Sequence, residues 1–201
     1  MTGAIRLNDF FDRVALINLD RRKDRLGRFD IQAINLGIEF VRYSAIDAEA
    51  IGISGTKACA ASHRQVLADA LADGVERLFI FEDDAGFDAK FTDKFSAIAS
   101  RLPDDWQMFY LGSWPYSIID IGIKGLKKTH GNILTHAYGA KREIFEDLIQ
   151  ASLDPINPID AAYGLLHPRI VTYMASPSLV TQTPDFSDIR RHEVDYRRHI
   201  I

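Results

Sequence analysis

Residues 78–84 read Leu78-Phe79-Ile80-Phe81-Glu82-Asp83-Asp84, a greasy run that meets three acids with nothing between them. Four consecutive apolar side chains, aromatic or branched, read as a strand covered on both faces. Three adjacent carboxylates repel one another and cannot sit unpartnered inside that core. The acids therefore belong where the strand leaves the sheet, at the carboxyl edge where open α/β sheets bind ligands. Hard divalent cations take oxygen ligands, and a diphosphate needs its charge offset. The simplest functional reading of the junction is thus a metal-assisted sugar-nucleotide site. An exposed acidic turn, or a helix N-terminus that favours negative charge, has the same sequence signature.

Outward from this strand the pattern alternates. Residues 13–19, with Val14, Ala15, Leu16 and Ile17, read as a first core strand. Residues 21–36 carry Leu26, Phe29, Ala33 and Leu36 at helical spacing, and Gly37 ends the helix. Residues 39–43 read as a short strand. Residues 57–73 read as an alanine-rich helix with Val66, Leu67, Ala70 and Leu71 on its core side, stopped by Gly74. On the far side of the acids come a helix at 89–101 closed by Pro103, strands at 106–111 and 132–138, and a helix at 141–151. A proline-bounded loop at 154–158, a short helix at 159–166 and a late strand at 170–174 follow, and the chain reads as irregular from Pro177. Alternating strands and helices predict an α/β layered sheet.

The 201 residues suit one domain and contain no repeat, low-complexity block or Gly/Ser linker. A formal net charge of −4 argues against a general nucleic-acid binder. The sole cysteine, Cys59, excludes an intrachain disulfide and a Cys-based zinc site. No apolar stretch approaches the roughly 18 residues of a spanning helix. The N-terminus lacks the layout of a signal peptide, so the expected compartment is a reducing cytoplasm. The basic tail, Arg190-Arg191-His192 through Arg197-Arg198-His199, reads as a solvated end or as a peripheral contact for phosphates or an anionic membrane.

Several polar clusters sit at predicted strand ends. Asn18, Asp20, Arg21, Arg22 and Arg25 follow the first strand. Backbone N–H groups at that helix start, with the arginines, suit a diphosphate, and a capped surface helix with ion pairs is the plainer alternative. Ser62 and His63 are helical neighbours that cannot face one another, so they are no nucleophile–base pair. His63 reads as a substrate contact, a support for the acids, or a satisfied core histidine. Cys59 reads as a small core residue. Asp160 suits a helix cap or a site carboxylate. Gln182, Asp185, Ser187 and Asp188 suit a site or a plain turn.

In order, these pieces resemble glycosyltransferase family 25, which includes lipopolysaccharide, lipooligosaccharide and collagen galactosyltransferases. The resemblance rests on the runs beginning at Val14 (Val-Ala-Leu-Ile-Asn-Leu-Asp-Arg-Arg), Cys59 (Cys-Ala-Ala-Ser-His), Phe79 (Phe-Ile-Phe-Glu-Asp-Asp-Ala) and Phe109 (Phe-Tyr-Leu-Gly). Thr135-His136-Ala137-Tyr138, Ile159-Asp160, Leu179 to Gln182 and Ser187-Asp188-Ile189 complete it. It implies a GT-A-type, Rossmann-like mixed sheet flanked by helices, with a donor-binding part over about residues 1–112 and an acceptor side over about 113–201. It further implies inverting, metal-dependent transfer of a sugar, galactose from UDP-galactose first, onto an oligosaccharide or lipid-linked glycan acceptor such as lipopolysaccharide core. Glu82 and Asp84 become the Mn²⁺ or Mg²⁺ contacts. Asn18, Asp20, Arg21, Arg22, Arg25, His63 and Asp83 become donor contacts. Asp160, then Asp188, becomes the general base.

Two departures stand beside the resemblance. Lys57 occupies a position where an acid is expected, and the short acceptor half makes a silent nucleotide-binding relative the runner-up reading. A nucleotidyltransferase would want a glycine-rich phosphate loop after the first strand, and residues 18–25 contain no glycine.

Overall fold

A computed structural model describes residues 3–190 and 192–195. The first half runs α1 (Leu7–Phe10), β1 (Arg13–Asn18), α2 (Lys23–Leu36), β2 (Val41–Ser44), α3 (Ala48–Ile51), α4 (Gly55–Ala72), β3 (Arg77–Glu82), β4 (Ala85–Phe87) and α5 (Phe91–Ala99). The second runs β5 (Met108–Tyr110), β6 (Trp114–Asp120), β7 (Leu126–Ile133), β8 (Ala137–Lys141), α6 (Phe145–Ala151), α7 (Ile159–Gly164), β9 (Thr172–Ala175), β10 (Val180–Gln182), β11 (Asp185–Ser187) and β12 (His192–Val194). Eight strands form one mixed sheet in the order β2-β1-β3-β8-β5-β9-β7-β6. The β2-β1-β3 block is parallel, and β8 then joins β3 antiparallel.

The run that decided the fold lies near the middle of this sheet. Phe79 and Phe81 face one core with Leu16, Phe29, Phe95 and Phe109, while Leu78 and Ile80 face the other with Val66, Leu67, Tyr138 and Phe145. Both faces are covered because α2 and α5 contribute to the first core and α4 and α6 to the second. A strand that must be apolar on both sides shows no alternation, which is why 78–81 reads as a continuous run. The ends of α2 and α4 follow local chemistry. Gly37 adopts φ +62 and donates to the Ala33 and Ile34 carbonyls, and Ser54 Oγ accepts from the Lys57 amide at the start of α4.

Two expectations are corrected. The strand expected at 132–138 is two strands, because the chain turns at Leu134, which has φ +77. The sequence pattern does not mark the β6–β7 hairpin before residue 132. Its outer strand is an edge whose residues are mostly exposed, so neither an apolar run nor a clean alternation marks it. Pro115 is tolerated there because an edge strand has a side without ladder bonds. The segment after Pro177 is less irregular than it reads. β10 pairs with β4, and β11 pairs with β12.

Gly112 fixes where β10 lies. The Leu111 carbonyl accepts from the Leu179 and Val180 amides at 2.7 and 3.1 Å. A Cβ on Gly112 would stand 1.8 Å from the Val180 carbonyl oxygen and 2.7 Å from His136 Nε2. Since the first clash is with backbone, the strand itself must move. Gly112→Ala is expected to cost at least about 1–3 kcal/mol and to displace Gln182 with β10. Urea denaturation of the purified variant checks this, and an unchanged midpoint would show that β10 is not held there.

Candidate active site

β1 and β3 are parallel neighbours, so Asn18 and Glu82 end at the same sheet edge. The chain then places the acids, the start of α2, one face of α4, the start of α7 and the β11 segment around one cleft of about 440 Å³. Arg21, Arg25, His63, Glu82, Asp83, Asp84, Asp160 and Asp188 all line it. Asn18, Asp20 and Arg22 do not belong to its wall and act behind it or beside it.

The acids lie at the strand end as expected, but they are not solvent-facing. Only 21%, 9% and 15% of the Glu82, Asp83 and Asp84 side chains are exposed. Partners make that burial tolerable. Asp83 accepts from Asn18 Nδ2 at 2.7 Å and from Arg25 Nη1 at 2.9 Å. Burial nevertheless outweighs these bonds and raises its pKa. Glu82 accepts from Thr135 Oγ1 at 2.8 Å and faces His63 Nε2 at 3.4 Å. Burial opposes its charge, but the adjacent His63 ring and the Thr135 hydroxyl outweigh it and hold its pKa below the usual carboxylate range.

Asp84 is the poorly satisfied member. Gln182 Nε2 donates to its Oδ2 at 3.2 Å, while Oδ1 is buried without a hydrogen-bond partner. Burial first, then the charges of Glu82 and Asp83, push its pKa up to about 8. An orphaned carboxylate oxygen beside a second carboxylate fits a hard divalent cation, which would satisfy the oxygen and relieve the repulsion.

The arginines at the start of α2 are occupied. Arg21 donates to Asp47 at 2.9 Å and to Asp188 at 2.5 Å. Arg22 donates to Asp24, Asp185 and Asp188 at 2.7–3.0 Å. Arg28 pairs with Asp185. Asp20 pairs with Arg42 and Ser44, away from the cleft. Asp188 is buried enough to favour its neutral form, yet Arg21 and Arg22 hold it below the usual range. Asp160 accepts from the Leu134 amide at 3.1 Å and from the Ala161 amide at 2.8 Å. It thereby anchors the left-handed residue that ends β7 and keeps its carboxylate on the cleft wall.

Three contributors had no assigned role in sequence. Thr135 bonds Glu82, and Tyr138 Oη lies 3.1 Å from His63 Nδ1. Cys59, read as a core residue, lines the cleft one helical turn from His63. The spacing Cys59/His63 on one helix face was the available signal. The basic tail is not placed, since Arg191, Arg197, Arg198 and His199 lie outside the described residues. Among the described residues no helix is long and apolar enough to cross a membrane.

The sequence pattern of glycosyltransferase family 25 (LPS biosynthesis protein) matches residues 53–124, a stretch that includes Cys59, His63 and all three acids. Over that stretch the chain is similar to glycosyltransferase family 25. Procollagen galactosyltransferase 2 from Homo sapiens is 26% identical over 51% of this chain and 21% of its own length, and the Mus musculus protein of that name matches to the same extent. The chain therefore spans about a fifth of the length of these curated relatives. Two solved structures share the fold. A glycosyltransferase involved in the glycosylation of the major capsid of PBCV-1 gives a TM-score of 0.56 at 10% identity, over 89% of this chain and 96% of that one. A197 from STIV gives 0.53 at 15% identity, over 90% and 93%. The sheet is of the GT-A type that the family-25 resemblance implied.

The Asp84 environment gives a pH test. Its folded pKa lies above the ordinary value, so ionising it opposes folding. That penalty is absent below about pH 4 and grows as pH rises towards about 8. Asp84→Asn is neutral throughout. Without divalent cations it is expected to melt with the wild type at pH 4 and above it at pH 8, by up to a few kcal/mol. Thermal melts at the two pH values decide, and a gap that stays constant with pH would remove Asp84 as the strained acid.

Proposed function

We propose that this chain is a glycosyltransferase that moves a hexose from a nucleotide-sugar donor to a glycan acceptor. The observation that carries the reading is the pairing, in one cleft, of an orphaned Asp84 carboxylate with the arginine-rich start of α2. The family-25 match over residues 53–124 and the similarity to galactosyltransferases support it and make UDP-galactose the first donor to test. Lipopolysaccharide core is the first acceptor class, from the family description.

Glu82 and Asp84 would hold a Mn²⁺ or Mg²⁺ ion, whose chemistry is to offset charge on the departing nucleoside diphosphate. Arg21 and Arg25 line the same cleft and suit the donor's phosphates. Asp160 is the better general base of the two aspartates. Its two bonds come from neutral amides and leave lone pairs towards the cleft, whereas Asp188 is tied to two guanidiniums that depress its basicity. In this reading Asp160 takes the proton of the acceptor hydroxyl as its oxygen attacks the anomeric carbon from the face opposite the diphosphate, so transfer inverts. Asp83 keeps Arg25 in place and does not meet the donor directly.

Asp84→Asn is expected to abolish Mn²⁺-dependent donor turnover, and Asp160→Asn to lower it by about 10²–10⁴-fold with UDP affinity little changed. A panel of nucleotide sugars, assayed with and without Mn²⁺, measures both. Full activity in either variant removes the role given to that residue.

One observation favours a silent, nucleotide-binding relative. Asp185 and Asp188 already occupy the arginines that a diphosphate would use. If these aspartates compete with the donor, Asp188→Asn is expected to tighten UDP binding by calorimetry without loss of turnover. If Asp188 is instead the base, turnover falls. UDP binding with no turnover in the wild type would establish the silent reading.

A further inference from the structure

We propose that Cys59, His63 and Glu82 form a second cation site, selective for a borderline divalent ion of the zinc class and distinct from the all-oxygen pair Glu82/Asp84. One ligand atom from each residue lies within 4.8 Å of the other two. Ligands held at about 2.0–2.3 Å by a tetrahedral zinc ion lie roughly 3–4 Å apart, so small side-chain shifts close the site. Cys59 and His63 are one turn apart on α4 and share a face. Glu82 reaches them from the end of β3, so a sole cysteine does not exclude a mixed zinc site, contrary to the expectation from sequence.

Two observations beyond the grouping point to a ligand. His63 is fully buried, yet its Nε2 has no hydrogen-bond partner and is directed at Glu82 at 3.4 Å. Its other nitrogen is held by Tyr138 Oη at 3.1 Å. A histidine that gives its Nδ1 proton to a fixed oxygen presents a free Nε2 lone pair, which is how metal-ligating histidines are oriented. Thr135 fixes the Glu82 carboxylate in the same way. Three protein ligands leave the fourth position open to the cleft, the arrangement of a zinc site that admits water or a substrate oxygen.

The donor set decides the metal class. A thiolate and an imidazole favour zinc-like ions over Mn²⁺ and Mg²⁺, which prefer oxygen. Burial keeps Cys59 as the thiol when no ion is present. Binding therefore forms a metal–sulfur bond and releases the thiol proton to water through the cleft, so affinity rises with pH. Glu82 belongs to both sets, and the two ions compete for it.

Metal-stripped full-length chain, kept reduced with a phosphine, is titrated with Co²⁺ and then Zn²⁺. The expected result is a thiolate-to-cobalt charge-transfer band that saturates at one ion per chain and is displaced by Zn²⁺. Asp84→Asn should keep the band and Cys59→Ser should lose it. Tyr138→Phe should weaken Zn²⁺ binding by about 10–100-fold, the usual effect of removing an orienting outer partner. In the wild type, Zn²⁺ should also protect Cys59 from alkylation, read by mass spectrometry, which needs no variant to fold. Absence of both the band and the protection overturns the proposal, as does loss of the band in Asp84→Asn with its fold intact. Mn²⁺-dependent donor turnover alongside those failures would leave the transferase reading standing. A band without turnover would do the reverse.

Discussion

The buried pairing of Arg25 with Asp83 is the constraint on which the site depends. Arg25 leaves the first turn of α2 and donates to Asp83 at the end of β3, while Asn18 at the end of β1 donates to the other oxygen. The same guanidinium donates to the Phe186 carbonyl at 2.8 Å and so reaches the C-terminal segment. One ion pair thus joins two central strands, a helix and the arm that borders the cleft. A buried pair adds little net stability over apolar packing, but losing one partner costs about 3–5 kcal/mol because the other charge is stranded. Its value here is positional. It sets the direction in which Glu82 and Asp84 leave the sheet.

Three adjacent acids consequently do three different things. Asp83 turns inward and is satisfied by Asn18 and Arg25. Glu82 meets a hydroxyl and an imidazole and keeps its charge. Asp84 receives one amide and two neighbouring negative charges, and its ionised form is disfavoured. Sharply different environments for neighbouring carboxyl groups are a mark of functional sites, since plain surface acids would all titrate alike.

Much of this was legible in sequence, for physical reasons. Runs such as Val14 to Ile17 and Leu78 to Phe81 are buried on two faces, so their composition alone marks them. Gly37 sits where a helix needs a left-handed residue, and such punctuation reads reliably. What sequence hid depends on tertiary approach. Leu134 breaks a strand without glycine or proline because Asp160, a distant residue, accepts its amide. Asp20 and Arg22 lie just after β1, beside the cleft, but turn to Arg42 and to the aspartates of the arm. The depth of the acids was also hidden, since their burial is made possible by Arg25, Thr135 and Gln182 from elsewhere in the chain. Cys59 reads as core because Glu82, within 4.8 Å of it, is brought up by the sheet and not by the helix.

Charge balance at the cleft bears on what a donor would need. Arg21, Arg22, Arg25 and Arg28 are each paired with a carboxylate, and Asp188 and Asp185 each serve more than one of them. Glu82 adds negative charge, and Asp84, whose burial favours the neutral form, has no full guanidinium partner, as Arg25 stands 3.9 Å from it. A nucleoside diphosphate entering such a cleft meets carboxylates at close range in a setting of low dielectric, where repulsion is costly. Two routes lower that cost. The aspartates of the β11 segment can yield their arginines to the phosphates, or added cations can sit between the acids and the diphosphate. The first exchanges one anion for another and leaves Asp84 as it was. Only the second also satisfies the orphaned Asp84 oxygen, so the balance of charge supports the proposed cation-assisted reading of the cleft over one built from arginines alone.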